Sequence, residues 1–257
     1  VQKLKCATLE GADARVVEVE SSFTRGLPSF SIVGLAGSSI QEAKERVKSA
    51  LLSNGFTFPP KKITINLSPS DLKKSGSHFD LAIALGIALE KEAKSDIFIF
   101  GELGLDGKVK ASGSIFPIVL ALAKEPIDVL APARSAEKLS KIPNVKVYGV
   151  STLKEAIEFF KEEKKDALPP EPLNFPYITV DGERYYYTND FPLDFKDVKG
   201  QKGAVRAALI AAAGWHNILF EGSPGCGKSM IGKRLRYILP PMRLEEILES
   251  ARLKALE

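Results

Sequence analysis

Cysteine and histidine are both scarce, with two of each in 257 residues. Cys6 and Cys226 cannot build a disulfide framework, and the chain holds no Cys/His cluster of the kind that binds structural zinc. Long apolar runs are missing as well. No stretch approaches the roughly 20 residues of a membrane helix, and the N-terminus lacks the charged-then-apolar layout of a secretory signal. Strong net charge is also absent: the balance is +4, and neither half of the chain is basic enough to be a nucleic-acid module on charge alone. No internal repeat or low-complexity tract occurs. Val1 rather than Met stands first, so the chain reads as a trimmed or processed portion. The absences together describe a reduced, cytoplasmic protein without membrane contact. Its length falls between one large domain and two modest ones.

What is present is organised around Gly222-Ser223-Pro224-Gly225-Cys226-Gly227-Lys228-Ser229, a full match to the phosphate-loop pattern G-x-x-x-x-G-K-[ST]. Both flanks suit it. The apolar run Ile218-Leu219-Phe220 has the character of a buried parallel strand. After the loop, Ile231, Leu235, Ile238 and Leu239 recur at helical spacing, which predicts a helix starting near Lys228. Glycines allow backbone N–H groups to turn inward around phosphate oxygens, and the helix dipole adds to the attraction. Lys228 is placed to reach the β- and γ-phosphates, and the Ser229 hydroxyl to hold Mg²⁺. The expected ligands are therefore ATP or GTP with Mg²⁺. Two cysteines bear on this only in that Cys226 lies inside the loop, where pairing would obstruct nucleotide.

The remainder alternates strands and helices. Residues 4–35 read as extended, with Val17 and Val19 on one face of Arg15-Val16-Val17-Glu18-Val19-Glu20. Ser38 or Ser39 is placed to cap a helix whose stripe is Ile40, Ala43, Val47, Ala50 and Leu51, ended by Asn54-Gly55. A strand at 63–67 precedes a polar, basic loop, 68–78, which feeds an all-apolar and hence central helix over 79–89. A strand at 97–100 is followed by the Asp106-Gly107 pair of a tight hairpin. Helices are predicted at 114–124, 135–141 and 151–164, with strands at 129–130 and 145–147. This is an α/β or mixed α+β first domain. The charge run and prolines of 162–176 mark a linker. The chain thus divides into a first domain over 1–168, a linker over 169–190, and the start of a second domain over 191–257, with a helix at 204–213.

Several blocks carry a family resemblance. Val198-Lys199-Gly200-Gln201, Ala211-Ala212-Ala213-Gly214-Trp215-His216-Asn217 and the phosphate loop resemble AAA+ ATPases, and more narrowly the ComM/YifB family of magnesium-chelatase-like proteins. The first domain agrees through Gly26-Leu27-Pro28-Ser29-Phe30-Ser31-Ile32-Val33-Gly34-Leu35, Ile65-Asn66-Leu67-Ser68-Pro69, Phe79-Asp80-Leu81 and Gly101-Glu102-Leu103-Gly104-Leu105-Asp106-Gly107. The resemblance implies a Lon-protease-like, ribosomal-S5-type N-terminal domain followed by a truncated P-loop AAA+ domain. It implies a homo-hexamer when full length, and ATP-driven branch migration of DNA in natural transformation. It also places Val198 and Gly200 beside the adenine. Lon-type proteases use a Ser–Lys dyad. By that resemblance His78 stands in the place of the nucleophile, with Ser75 and Ser77 nearby as alternatives under a slip of the alignment, and Phe116 in that of the lysine, so the expectation is a fold reused without that chemistry.

Three function classes follow: a DNA-remodelling motor, a magnesium-chelatase-like motor subunit, and a Lon-type peptidase. For the first, Lys73, Lys74 and His78 on the basic loop are candidate contacts to branched or single-stranded DNA. Lys228 to Arg243 carries five positive residues and no acid; Lys233, Arg234 and Arg236 are expected to lie along a helix with their charges in water. His216 reads as a packing or hydrogen-bonded residue rather than a metal ligand. Hydrolysis needs an acidic residue to position Mg²⁺ and water, and a neutralising arginine. The tail from Arg243 to Glu257 reads as an amphipathic helix that supplies neither, so no complete catalytic set is expected here and the second acidic motif is expected beyond Glu257.

Overall fold

The alternation along Arg15–Glu20 does what a half-buried strand requires: Val17 and Val19 are wholly buried while Val16 faces out. The computed structural model describes residues 2–89, 96–161, 166–171 and 173–254. The chain divides into two compact units, Val1–Pro172 with Ser250–Glu257, and Leu173–Glu249. Each is described by itself.

In the first unit β1 (Gln2–Glu10) and β2 (Asp13–Thr24) form a long antiparallel hairpin. Then come β3 (Ser29–Val33), α1 (Ser38–Ser53), β4 (Lys62–Ser68), a 3₁₀ turn at Ser77–Phe79, and α2 (Asp80–Ala88). They are followed by β5 (Phe98–Ile99), β6 (Glu102–Leu103), β7 (Val109–Lys110), α3 (Ile115–Leu122), β8 (Ile127–Pro132), α4 (Ala133–Leu139), β9 (Val145–Val150) and α5 (Leu153–Lys161). The main sheet runs β3-β4-β2-β1-β5-β8-β9. Pairing is parallel except where β2 meets β1 and β4. The β6–β7 pair closes over Gly107, whose φ of +83° suits the Asp-Gly turn read from the sequence. Residues 162–164 of the helix expected over 151–164 lie outside the described residues.

The core is the sheet with α1 and α2 against it. All five residues of the α1 stripe, Ile40, Ala43, Val47, Ala50 and Leu51, are buried. Its start differs from expectation. Gly37 is the N-cap and makes no side-chain cap, because the Ser39 hydroxyl is taken by the backbone N–H of Gly76. α2 is buried from Asp80 through Ile87, as an all-apolar helix must be, and it carries a carboxylate into the core. Asp80 is met there by Arg46 in a two-pronged contact, Nε to Oδ2 at 2.7 Å and Nη2 to Oδ1 at 3.1 Å, with the Leu103 N–H adding a third donor. Burial still raises the Asp80 pKa, against the lowering effect of Arg46.

In the second unit β10 (Tyr177–Val180) and β11 (Glu183–Tyr186) form a hairpin, and β12 (Met242–Arg243) adds to β11. Asp181 and Gly182 turn this hairpin at φ +51° and +85°. The Asp-Gly pair between β-branched and aromatic residues was a readable signal that sequence analysis passed over. A 3₁₀ turn at Phe195–Asp197, α6 (Lys202–Ala213), α7 (Lys228–Leu235) and α8 (Leu244–Lys254) complete the elements. Among the described residues no helix is long and apolar enough to cross a membrane.

Arg46→Ala should leave the Asp80 carboxylate buried with one donor. We expect a loss of about 3–5 kcal/mol in unfolding free energy, measured by urea denaturation; an effect below about 1 kcal/mol would show that the pair is not holding α2.

Candidate functional site

The loop before α7 is built from backbone that favours glycine. Gly222, Gly225 and Gly227 sit at φ +155°, +82° and +94°, and a Cβ on Gly222 would come within 3.1 Å of the Cys226 sulfur. A Cβ on Gly225 or Gly227 would meet nothing within 4 Å. The loop is thus open on the side of those residues, with room for a ligand against the backbone. α7 starts directly after it, and the Ile231 N–H already donates to Gly227 O at 3.0 Å.

Lys228 crosses this loop. Its ammonium donates to Gly222 O at 2.7 Å and Ser223 O at 2.8 Å, and lies 3.6 Å from the Cys226 sulfur. One positive charge therefore braces the loop from within. The Ser229 side chain is exposed, at the N-terminal turn of α7, where a hydroxyl and a helix dipole suit a phosphate-bound cation. Ser223 and Pro224 are exposed and Cys226 half-buried. The residues present fit a triphosphate with Mg²⁺: open cradle, lysine, hydroxyl.

The segment before α6 joins the loop. Gln201, in the left-handed region at φ +48°, places its Nε2 3.4 Å from Cys226 O. Gly200 turns at φ +72°, and Val198 is half-buried with its N–H on Phe195 O. Arg234 fastens the same segment to α7: Nε donates to Asp194 O at 2.7 Å and Nη2 to Asp197 Oδ2 at 3.1 Å. This corrects the expectation of a charge carried in water, since Arg234 is buried and consumed by those partners. Arg236 instead lies over the Tyr237 ring at 5.1 Å. His216 is exposed; its backbone N–H donates to Ala211 O at 2.9 Å, and its ring lies over Gly214.

Two further expectations change. Ile218–Phe220 forms no strand; Leu219 is 88% exposed. A parallel strand needs neighbours to pair with, and none of the described residues pairs with this run. The helix after the loop also stops at Leu235, so Ile238 and Leu239 lie beyond it, ahead of Pro240-Pro241, which cannot continue a helix.

The second group of candidates, Lys73, Lys74 and His78, is not a surface patch. Lys73 is exposed. Lys74 is wholly buried, and its ammonium donates to Gly34 O at 3.0 Å, Leu67 O at 2.9 Å and Pro69 O. Desolvation lowers its pKa. His78 is 1% exposed, its Nε2 is 3.0 Å from Ala7 O, and its ring packs 4.5 Å from that of Phe79. Burial lowers the His78 pKa to about 4. Two of the three residues therefore offer no charge to a polyanion. The polar, basic composition of 68–78, with Leu72 its one large apolar residue, gave no sign that this loop folds inward. Phe116, in the place of the lysine, is half-buried under the Lys138 ammonium at 4.1 Å. Among the described residues no group of His, Cys, Asp and Glu could hold a metal ion.

This chain joins a sheet-based α/β unit to a unit whose glycine-rich loop is braced by its lysine at a helix start, the arrangement of a phosphate-binding loop. Two family descriptions match it: "Subunit ChlI of Mg-chelatase" over residues 19–135 and "Magnesium chelatase, subunit ChlI" over 194–257. The chain is 35% identical over 251 residues to the competence protein ComM of Haemophilus influenzae, covering 96% of this chain and 48% of that protein. It is 34% identical over 258 residues to the uncharacterized protein YifB of Salmonella typhimurium, covering 96% and 47%. With both parts of the chain matched in order, it is a member of the ComM/YifB family. It spans about half the length of these curated relatives. A Lon protease of Neorickettsia sennetsu is 28% identical over 177 residues, covering 63% of this chain and 21% of that protein.

The buried imidazole makes stability depend on pH. His78 holds a lower pKa folded than its ordinary 6.5, so its contribution is complete above pH 6.5 and is lost as pH falls towards 4. The difference corresponds to about 3 kcal/mol. Urea midpoints should fall over that window, and His78→Gln should flatten this part of the dependence; an equal slope in the variant would assign it to other groups.

Proposed function

We propose that this chain is the nucleotide-binding portion of an ATP-driven machine that remodels DNA in its full-length form. The observation that carries the reading is Lys228 seated across an open glycine loop at the start of α7. The backbone N–H groups of Gly225 to Ser229 would hold the β- and γ-phosphates of bound ATP. Lys228 would turn from the Gly222 and Ser223 carbonyls to phosphate oxygens, and the Ser229 hydroxyl would support Mg²⁺. Mg²⁺ neutralises charge on the phosphates when bound. Val198 and Gly200 border the adenine, held against the loop through Gln201.

In this reading residues 1–168 are a Lon-protease-like domain of ribosomal-S5 type, 169–190 a linker, and 191–257 the start of an AAA+ domain. The full-length protein works in the cytoplasm as a homo-hexamer. DNA as the substrate is part of this proposal; the relative 35% identical to this chain is named as a competence protein. Of the loop contacts, Lys73 alone is retained, because Lys74 and His78 are buried. A chelatase-type motor is the second reading, favoured by the two matched family descriptions.

Lys228→Ala should weaken binding of a fluorescent ATP analogue to this chain by about tenfold or more, through loss of a charge-assisted phosphate contact. In the full-length protein, branched DNA should stimulate ATP hydrolysis and the same substitution should abolish the stimulated rate. Unchanged nucleotide affinity in the variant would refute the loop assignment. ATP hydrolysis indifferent to DNA would favour the chelatase-type reading.

A further inference from the structure

The imidazole of His78 has a second partner. Its Nε2 lies 3.0 Å from Ala7 O, and a carbonyl only accepts, so Nε2 carries the proton and Nδ1 keeps its lone pair. Ser114 Oγ stands 3.0 Å from that Nδ1, hence its O–H donates to the ring. Ser112 Oγ is 2.9 Å from Ser114 Oγ. From the geometry we propose that Ser114 and His78 are a nucleophile and its general base, forming an acyl-transfer centre in the first unit for esters with good leaving groups.

Three elements fix the pair. Ala7 lies in β1 and is wholly buried, His78 in the 3₁₀ turn before α2, and Ser114 is the N-cap of α3. Gly76 clears the edge of the ring: at φ +109°, any Cβ there would come within 2.6 Å of Nδ1 and 2.7 Å of Cε1. The base is buried while Ser114 is half-buried, so of the two residues the serine is the one solvent reaches. Neighbouring acids are engaged elsewhere: Glu102 accepts from Ser77, and Asp80 holds Arg46. The first turn of α3 follows the nucleophile directly; Ile115 N–H is taken by Ser112 O and Pro117 has no N–H, so Phe116 N–H is the donor of that turn to offer to negative charge developing on an acyl oxygen.

The steps balance. Ser114 Oγ bonds to the acyl carbon as its proton passes to Nδ1. The bond to the leaving oxygen then breaks, and that oxygen departs with the proton from Nδ1. Water attacks the acyl-serine, giving a proton to Nδ1, which returns it to Ser114 Oγ as the acid leaves. The imidazole stays neutral down to about pH 4, so the base form is present throughout the neutral range. Its weak basicity restricts the reaction to groups that leave easily.

The test uses this chain and a biotinylated fluorophosphonate, with the modified peptide identified by mass spectrometry. We expect label on Ser114, at a rate constant to within about twofold from pH 5.5 to 8, since the base does not titrate there. Ser114→Ala should remove the label and lower p-nitrophenyl acetate hydrolysis by about tenfold or more. Ser112→Ala, which keeps nucleophile and base, should retain label, and so should Lys228→Ala, which belongs to the nucleotide loop. His78→Gln, if circular dichroism shows it folded, should lose it. Absence of label on Ser114 in folded protein, label undiminished in Ser114→Ala, or a rate rising through an inflection near pH 6.5 overturns the proposal, and none of these outcomes bears on nucleotide binding.

Discussion

An ammonium group held by three backbone carbonyls anchors one end of the first unit. Lys74 reaches Gly34 O just past β3, Leu67 O within β4, and Pro69 O after it. A lysine taken out of water costs several kcal/mol unless its donors are met, and here each of its three donors has a carbonyl. The approach depends on Gly34, whose φ is +99° and where a Cβ would come within 2.2 Å of Leu67 O. The backbone adds to the clasp, with Lys74 N–H on Leu35 O and Gly37 N–H on Lys74 O. The basic loop between β4 and α2 is thereby drawn in against the edge of the sheet, which sets the entry of His78 and Asp80 into the core.

That constraint propagates along α2. Once the loop is clasped, the 3₁₀ turn delivers His78 beneath Ser114 and Asp80 beneath Arg46, and both of these buried groups find partners. Three ionisable side chains in sequence proximity, Lys74, His78 and Asp80, are all buried, and they are tolerated for three different reasons. One is charged and fully bonded, one is neutral, and one is ion-paired. The second unit follows a similar economy: Lys228 holds its own loop, and Arg234 ties Asp194 and Asp197 to α7. Charges that looked like a surface run in the sequence are divided between loop bracing, packing and solvent.

The comparisons and the geometry meet at the level of family. Magnesium-chelatase descriptions cover both the sheet unit and the loop unit, and the ComM relative aligns along nearly the whole chain. The glycine loop at 222–229 is the feature on which the proposed function rests. Its strand is the part that is not formed, and Leu219 stands exposed where a sheet interior would hold it. A loop of this kind is shaped locally by glycines and one lysine, and that is why it keeps its form without a paired strand before it.

Local rules settled a great deal. The α1 stripe, the pleat of Val17 and Val19, the buried character of α2, the Asp106-Gly107 turn and the loop motif were all legible, because period, turn chemistry and glycine conformation act over a few residues. Tertiary structure alone decided the strand order β3-β4-β2-β1-β5-β8-β9, the early stop of α7, the absent strand at 218–220, and the fates of Lys74, His78 and Arg234. Those outcomes rest on partners far apart in the chain, Lys74 with Gly34, His78 with Ala7 and Ser114, Arg234 with Asp194. A lysine reads the same in sequence whether it faces water or three carbonyls, since burial is a property of the neighbours that folding brings.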